Sequence, residues 1–116
     1  PHAPLLDALA SEAEVRAGEF NPQSLRTTVW AYATAGHAAP ALFDALAGEA
    51  VARVDEFAPQ ELAAMVWAYA TAGRATLWAA LFGAVVDKAV ARVGEFSPQE
   101  LANIAWAYAM AGHPAP

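Results

Sequence analysis

The stretch Glu19–Gly36, EFNPQSLRTTVWAYATAG, returns as EFAPQELAAMVWAYATAG at Glu56–Gly73 and as EFSPQELANIAWAYAMAG at Glu95–Gly112. Eleven of the eighteen positions agree in all three copies, and the copies start 37 and 39 residues apart. The segments between them repeat too, as LLDALASEAEVRAGEF, LFDALAGEAVARVDEF and LFGAVVDKAVARVGEF. Recurrence at this period is the mark of an array of small supersecondary units, a solenoid or a propeller. The two extra residues of the second period fall in Arg74–Ala80, where RATLWAA stands against HAAPA.

Local chemistry predicts two helices per unit. In each copy Phe20, Phe57 or Phe96 is followed by Asn21, Ala58 or Ser97 and then by Pro. Proline suits the first helical position, where its missing N–H would have had no intrahelical partner. Asn21 is a good N-cap, and Ser97 with Glu100 spells a capping box; Ala58 makes the weakest start of the three. Each Phe is placed to staple the Leu five residues later (Leu25, Leu62, Leu101). Gly36, Gly73 and Gly112 supply the left-handed residue that ends a helix of about fourteen residues.

The intervening segment makes the other helix. Phe43, Leu46, Ala47, Ala50, Val51 and Val54 form one apolar stripe of 3.6-residue period, and Trp78, Leu81, Phe82, Val85, Val86, Ala89, Val90 and Val93 a broader one. The Leu25–Gly36 type of helix is apolar nearly all round, so it needs cover on two sides, which stacked repeats provide. The expected fold is all-α: about six helices in a right-handed α-solenoid. Its parts are residues 1–18 (second helix of a partial repeat), 19–55 and 56–94 (full repeats) and 95–116 (first helix of a partial repeat).

Composition agrees with a small packed domain. Of 116 residues, 58% are hydrophobic and 16% charged, which excludes disorder driven by weak hydrophobicity. The absence of Cys removes disulfides, thiolate zinc sites and a thiol nucleophile. The net charge of −6 disfavours a generic polyanion binder. No stretch reaches the roughly 18 apolar residues of a membrane span. The chain opens at Pro1 with no signal or transit pattern and is silent on localisation.

The string F-x-P-Q-x-L-A-x-x-x-W-A-Y-A-x-A-G, clearest from Phe96 to Gly112, resembles the octotricopeptide repeat and the related heptatricopeptide repeats of FAST-kinase-like and RAP-domain proteins. It is less like the tetratricopeptide repeat, whose period is about 34 residues. The resemblance covers nearly the whole chain. It implies a paired-helix solenoid that binds RNA in chloroplasts or mitochondria and helps to stabilise, process or translate particular transcripts.

By analogy with one-base-per-repeat readers, RNA contacts are expected at variable positions of the PQ-bearing helix: Arg26-Thr27-Thr28, Ala63-Ala64-Met65 and Ala102-Asn103-Ile104. The candidate row is Gln23, Arg26, Thr27, Gln60, Ala64, Gln99 and Asn103. The three glutamines sit near helix starts, where N–H groups favour phosphate. Arg26, Thr27 and Asn103 can bond a base edge, while Ala63, Ala64 and Met65 cannot. The same positions also read as unconstrained surface.

Residues 1–61 carry net −6, 62–94 net +2 and 95–116 net −2. The basic patch is therefore Arg74, Lys88 and Arg92. Earlier copies pair Glu12 with Arg16 and Glu49 with Arg53 at i,i+4, whereas Lys88 and Arg92 are like charges. They mark either a contact with an acidic partner or phosphate, or a solvated helix face. The Trp30/67/106 and Tyr32/69/108 columns read as packing residues. Trp78, outside the repeat frame, ranks first among the aromatics as an exposed contact. His2, His37 and His113 lie a repeat apart, too far for one metal ion. Ser11, Ser24 and Ser97 read as surface or cap residues with no base and orienter beside them, so no enzyme and no cofactor is expected. The other function class is a protein-interaction scaffold or a subunit of a large assembly, with another polypeptide covering the apolar end helices.

Overall fold

The computed structural model describes residues 2–72 and 78–111. These form six α-helices: α1 (Ala3–Val15), α2 (Pro22–Ala35), α3 (Pro40–Ala52), α4 (Pro59–Thr71), α5 (Ala79–Ala91) and α6 (Pro98–Ala111). There is no strand among the described residues. Each odd-numbered helix runs into a one-turn 3-10 helix (Ala17–Glu19, Val54–Glu56, Val93–Glu95) that ends on the repeat's Phe. That Phe is extended, with φ between −79° and −89°, and turns the chain into the next helix.

The PQ-bearing helices start as their caps dictate. Asn21 accepts a hydrogen bond from the Ser24 N–H (2.7 Å), and Ser97 and Glu100 exchange the two bonds of a capping box (2.8 and 3.1 Å). Ala58 has no side-chain oxygen to offer, so α4 keeps only half of that box, the Ala58 N–H donating to Glu61 (2.8 Å). Gly36 ends α2 at φ +67°, the left-handed conformation that a residue without Cβ adopts at no steric cost. Gly73 and Gly112 lie outside the described residues, as do Arg74 and His113.

The helices form two rows. Helix α2 packs on α4 and α4 on α6, while α1 packs on α3 and α3 on α5; the overall extents are 41 × 26 × 22 Å. Helix α4 is enclosed on both flanks, and Leu62, Ala63, Met65, Val66, Ala68, Tyr69 and Ala70 are all buried. The opposite row buries Leu42, Phe43, Leu46, Ala47 and Ala50 of α3 and Leu81, Phe82 and Val85 of α5.

A hydrogen bond recurs in every unit. The Tyr32 hydroxyl donates to the Leu6 carbonyl (2.6 Å), Tyr69 to that of Phe43 (2.6 Å) and Tyr108 to that of Phe82. The spacing is 26 residues each time, and the bond ties an even-numbered helix to the first turns of the odd-numbered helix before it. A backbone oxygen has two lone pairs, so the carbonyl accepts the phenol without leaving its own helix. Edge-on ring contacts back two of the three: Phe43 with Tyr69 at 5.0 Å and Phe82 with Tyr108 at 5.1 Å.

The fold corrects two expectations. Trp78 is not an exposed contact: it is 5% accessible, 6.0 Å from the Phe43 ring and 5.0 Å from that of Tyr69. Aromatic surface between α3 and α4 takes the indole in, although Nε1 finds no partner among the described residues. The α5 stripe also stops short. Val90 and Val93 are exposed; the 3-10 turn carrying Val54 packs on α5, and among the described residues no helix takes the corresponding place beside Val93.

Candidate binding face

The sequence-selected residues gather on the row α2–α4–α6. Gln23, Thr27 and Trp30 succeed one another at spacings of four and three, as do Gln60, Ala64 and Trp67, and Gln99, Asn103 and Trp106. That spacing keeps each set on one stripe of its helix. Side by side, the three stripes make one face. Gln23, Thr27, Gln60 and Gln99 are exposed, and Ala64, Asn103 and Arg26 are half-buried. The Gln99 amide donates to Asn103 Oδ1 (3.0 Å), so these two candidates form one polar unit. The Arg26 Nε is enclosed without a partner among the described residues. Ala63 and Met65, also among the variable positions, are core residues of α4.

The tryptophan column is not all packing. Trp30 is 47% and Trp106 43% accessible, and Trp67 is half-buried between them. Trp67 and Trp106 stack at 6.2 Å with 29° between their planes. The signal lies in the W-A-Y string: residues two apart on a helix point about 200° apart, so the buried Tyr sends its Trp neighbour outward. Tyr69 is fully buried, and burial, with Asp44 nearby, pushes its phenol well above the ordinary value. Tyr108 is raised likewise by burial and by Asp87, against a hydrogen bond from the Val86 backbone.

Charge is distributed unevenly over the two rows. Ten of the twelve acidic residues lie on α1, α3, α5 and the 3-10 turns; only Glu61 and Glu100 lie on the candidate face, each bonded to its own N-cap N–H. Two of the cations read as a basic patch are engaged inside the chain. Lys88 pairs with Asp55, and Arg92 pairs with Glu95 (3.1 Å) and donates to the Phe57 carbonyl (2.9 Å). Asp55 and Phe57 both lie in the connection between α3 and α4, 33 and 35 residues before their partners. His37 pairs with Asp7 (2.7 Å), a contact across 30 residues that no local pattern announces.

Among the described residues, no group of His, Asp and Glu is placed to hold a metal ion, and no helix is long and apolar enough to cross a membrane. No family model, curated protein or solved structure matches the chain.

Proposed function

We propose that the chain is a section of right-handed α-solenoid of the octotricopeptide type whose PQ-bearing helices hold single-stranded RNA, as part of an organellar gene-expression factor. The observation that carries the reading is the outward Trp30, Trp67 and Trp106 column, flanked by Gln23, Gln60 and Gln99 on a face almost free of carboxylates. Bases stack on indole rings irrespective of sequence, each contact being worth ~1–3 kcal/mol. Gln, Thr27 and the Gln99–Asn103 pair supply donors and acceptors for base edges. Arg26 is the one cation among the described residues of this row, so binding rests on stacking more than on phosphate neutralisation, and its salt dependence is shallow.

The test is titration of a short single-stranded RNA while tryptophan fluorescence is followed. Quenching is expected, and Trp106→Ala and Trp30→Ala are each expected to weaken binding by roughly 5- to 100-fold. Failure of RNA to quench, or variants that bind as the parent does, would overturn the reading.

One observation favours a protein-binding scaffold instead: the α1–α3–α5 row with its 3-10 turns carries ten carboxylates against the four cations Arg16, Arg53, Lys88 and Arg92, each already paired, so the remaining surface of that row is acidic. On that reading the chain captures a basic protein partner and ignores RNA.

A further inference from the structure

Trp67 and Trp106 meet in a way that the core aromatics do not. The contacts Phe43–Tyr69, Phe43–Trp78, Tyr69–Trp78 and Phe82–Tyr108 are tilted or edge-on, with 54° to 71° between the ring planes. Rings that fill a core commonly cross in this way. Trp67 and Trp106 lie face to face instead, at 29°, with their centroids 6.2 Å apart. Two rings with a base between them stand about 7 Å apart, twice the ~3.4 Å rise of stacked bases. The indole pair is within an ångström of that spacing. Trp106 is 43% accessible, so a small rotation of its side chain opens the gap without moving α4 or α6.

The turn below Trp106 is polar. Asn103 stands three residues before it on α6, and Asn103 Oδ1 accepts a hydrogen bond from the Gln99 amide (3.0 Å). Helical side chains lean toward the N-terminus, which sets the Trp106 ring over the turn that carries Asn103. The counterparts of Asn103 are Ala64 before Trp67 and Thr27 before Trp30, and neither brings an amide. The bond to Gln99 holds the Asn103 amide in place before a ligand arrives, which reduces the ordering cost of binding. An amide carries a donor beside an acceptor, the pattern that matches the N6 amino group and N7 of adenine. The carboxylate closest in sequence, Glu100, is already bonded to the Ser97 N–H (2.8 Å).

We infer that Trp67 and Trp106 are the walls of a slot for a single nucleobase, adenine, whose edge is held by the Gln99–Asn103 amide pair. The inference rests on the RNA reading above and adds to it a place and a base. A purine covers more of both indoles than a pyrimidine does, and the amide pair then selects among purines.

Fluorescence anisotropy of two labelled RNAs titrated with the whole chain tests this: an octamer of uridine, and the same octamer with one internal adenosine. The adenosine is expected to tighten binding by roughly 5- to 100-fold. Asn103→Ala is expected to abolish that difference, so that the two octamers bind alike. Trp67→Ala is expected to weaken the adenosine octamer as much as Trp106→Ala does and more than Trp30→Ala, although Trp67 is the least exposed of the three. Far-UV circular dichroism shows which variants keep the fold, and Asn103→Ala decides if Trp67→Ala does not. Two octamers bound equally well by the parent, a difference that survives Asn103→Ala, or a folded Trp67→Ala that binds as the parent does would each overturn the slot and leave the RNA reading standing. Failure of both octamers to bind would overturn the RNA reading and the slot with it.

Discussion

Leu62 and Leu101 stand at the same place in the repeat, five residues after the Phe and two after the Gln, in nearly the same local sequence. Leu62 sits in α4 between α2 and α6 and is buried; Leu101 sits in α6, with a neighbour on one flank, and is exposed. Trp67 differs from Trp30 and Trp106 in the same direction. In this molecule burial belongs to a position in the stack as much as to a residue. The outer helices bury core residues as well, such as Leu25, Val29, Phe82 and Val85, but they also leave copies of buried positions open to solvent.

The largest expected difference between the two regions is at the leucines themselves. Leu62→Ala opens a cavity in the core and is expected to cost about 2–5 kcal/mol in urea unfolding. Leu101→Ala is expected to cost about 1 kcal/mol or less, since little packing is lost at an exposed site. Equal losses at the two sites would mean that the end helix is covered in solution.

The tyrosine bonds come next. Tyr69→Phe leaves the Phe43 carbonyl without its second partner in a buried place, for about 1–3 kcal/mol. The same residue sets an alkaline limit. A phenol in the unfolded chain releases its proton near pH ~10, whereas Tyr69 in the fold holds it to higher pH. Stability from this group is therefore complete below that pH. It falls as the pH rises further, by up to about 1.4 kcal/mol per unit. Urea midpoints measured into the alkaline range should decline, and less steeply in Tyr69→Phe.

Smaller again is the capping difference between α4 and α6. Ala58→Ser gives α4 the missing hydroxyl of its capping box and is expected to add about 1 kcal/mol in thermal or urea unfolding. A loss there would show that the hydroxyl cannot reach the Glu61 N–H. The smallest effect compares the contact of the Ala17–Glu19 turn with α3 and that of the Val54–Glu56 turn with α5, where Glu49 lies 3.8 Å from the Cβ position of Gly18 and Lys88 pairs with Asp55. Gly18→Lys sets a cation against Glu49, as Lys88 stands against Asp55, and is expected to stabilise by ~0.2–1 kcal/mol at low salt. Gly18→Asp is expected to destabilise by a similar amount, and both effects should shrink as salt is added.

Much of the fold is legible in the sequence because it is local. The proline after each cap, the Asn21 and Ser97 caps and Gly36 act within a few residues, and the structure places them where the spacing predicts, whereas the α5 stripe gives out at Val90. The candidate face is legible in part. Place in the repeat frame picks out Gln23, Gln60, Gln99, Thr27 and Asn103, but it assigns the tryptophans beside them to packing. The W-A-Y string holds the answer, since Trp and Tyr two residues apart cannot face the same neighbour. Trp78 reads wrongly from sequence because an insertion says where the chain leaves its frame and not which pocket the side chain then enters.

Residue order alone determines the kind of helix, its ends and its repetition, because capping, proline geometry and helical periodicity need no partner beyond the next turn. Which copy of a repeated side chain is covered is another matter. So are the engagement of Lys88 and Arg92 within the chain and the 26-residue reach of each tyrosine hydroxyl. These depend on helices distant in sequence lying side by side, and chemically equivalent positions acquire different environments there because one has two neighbours and another has one.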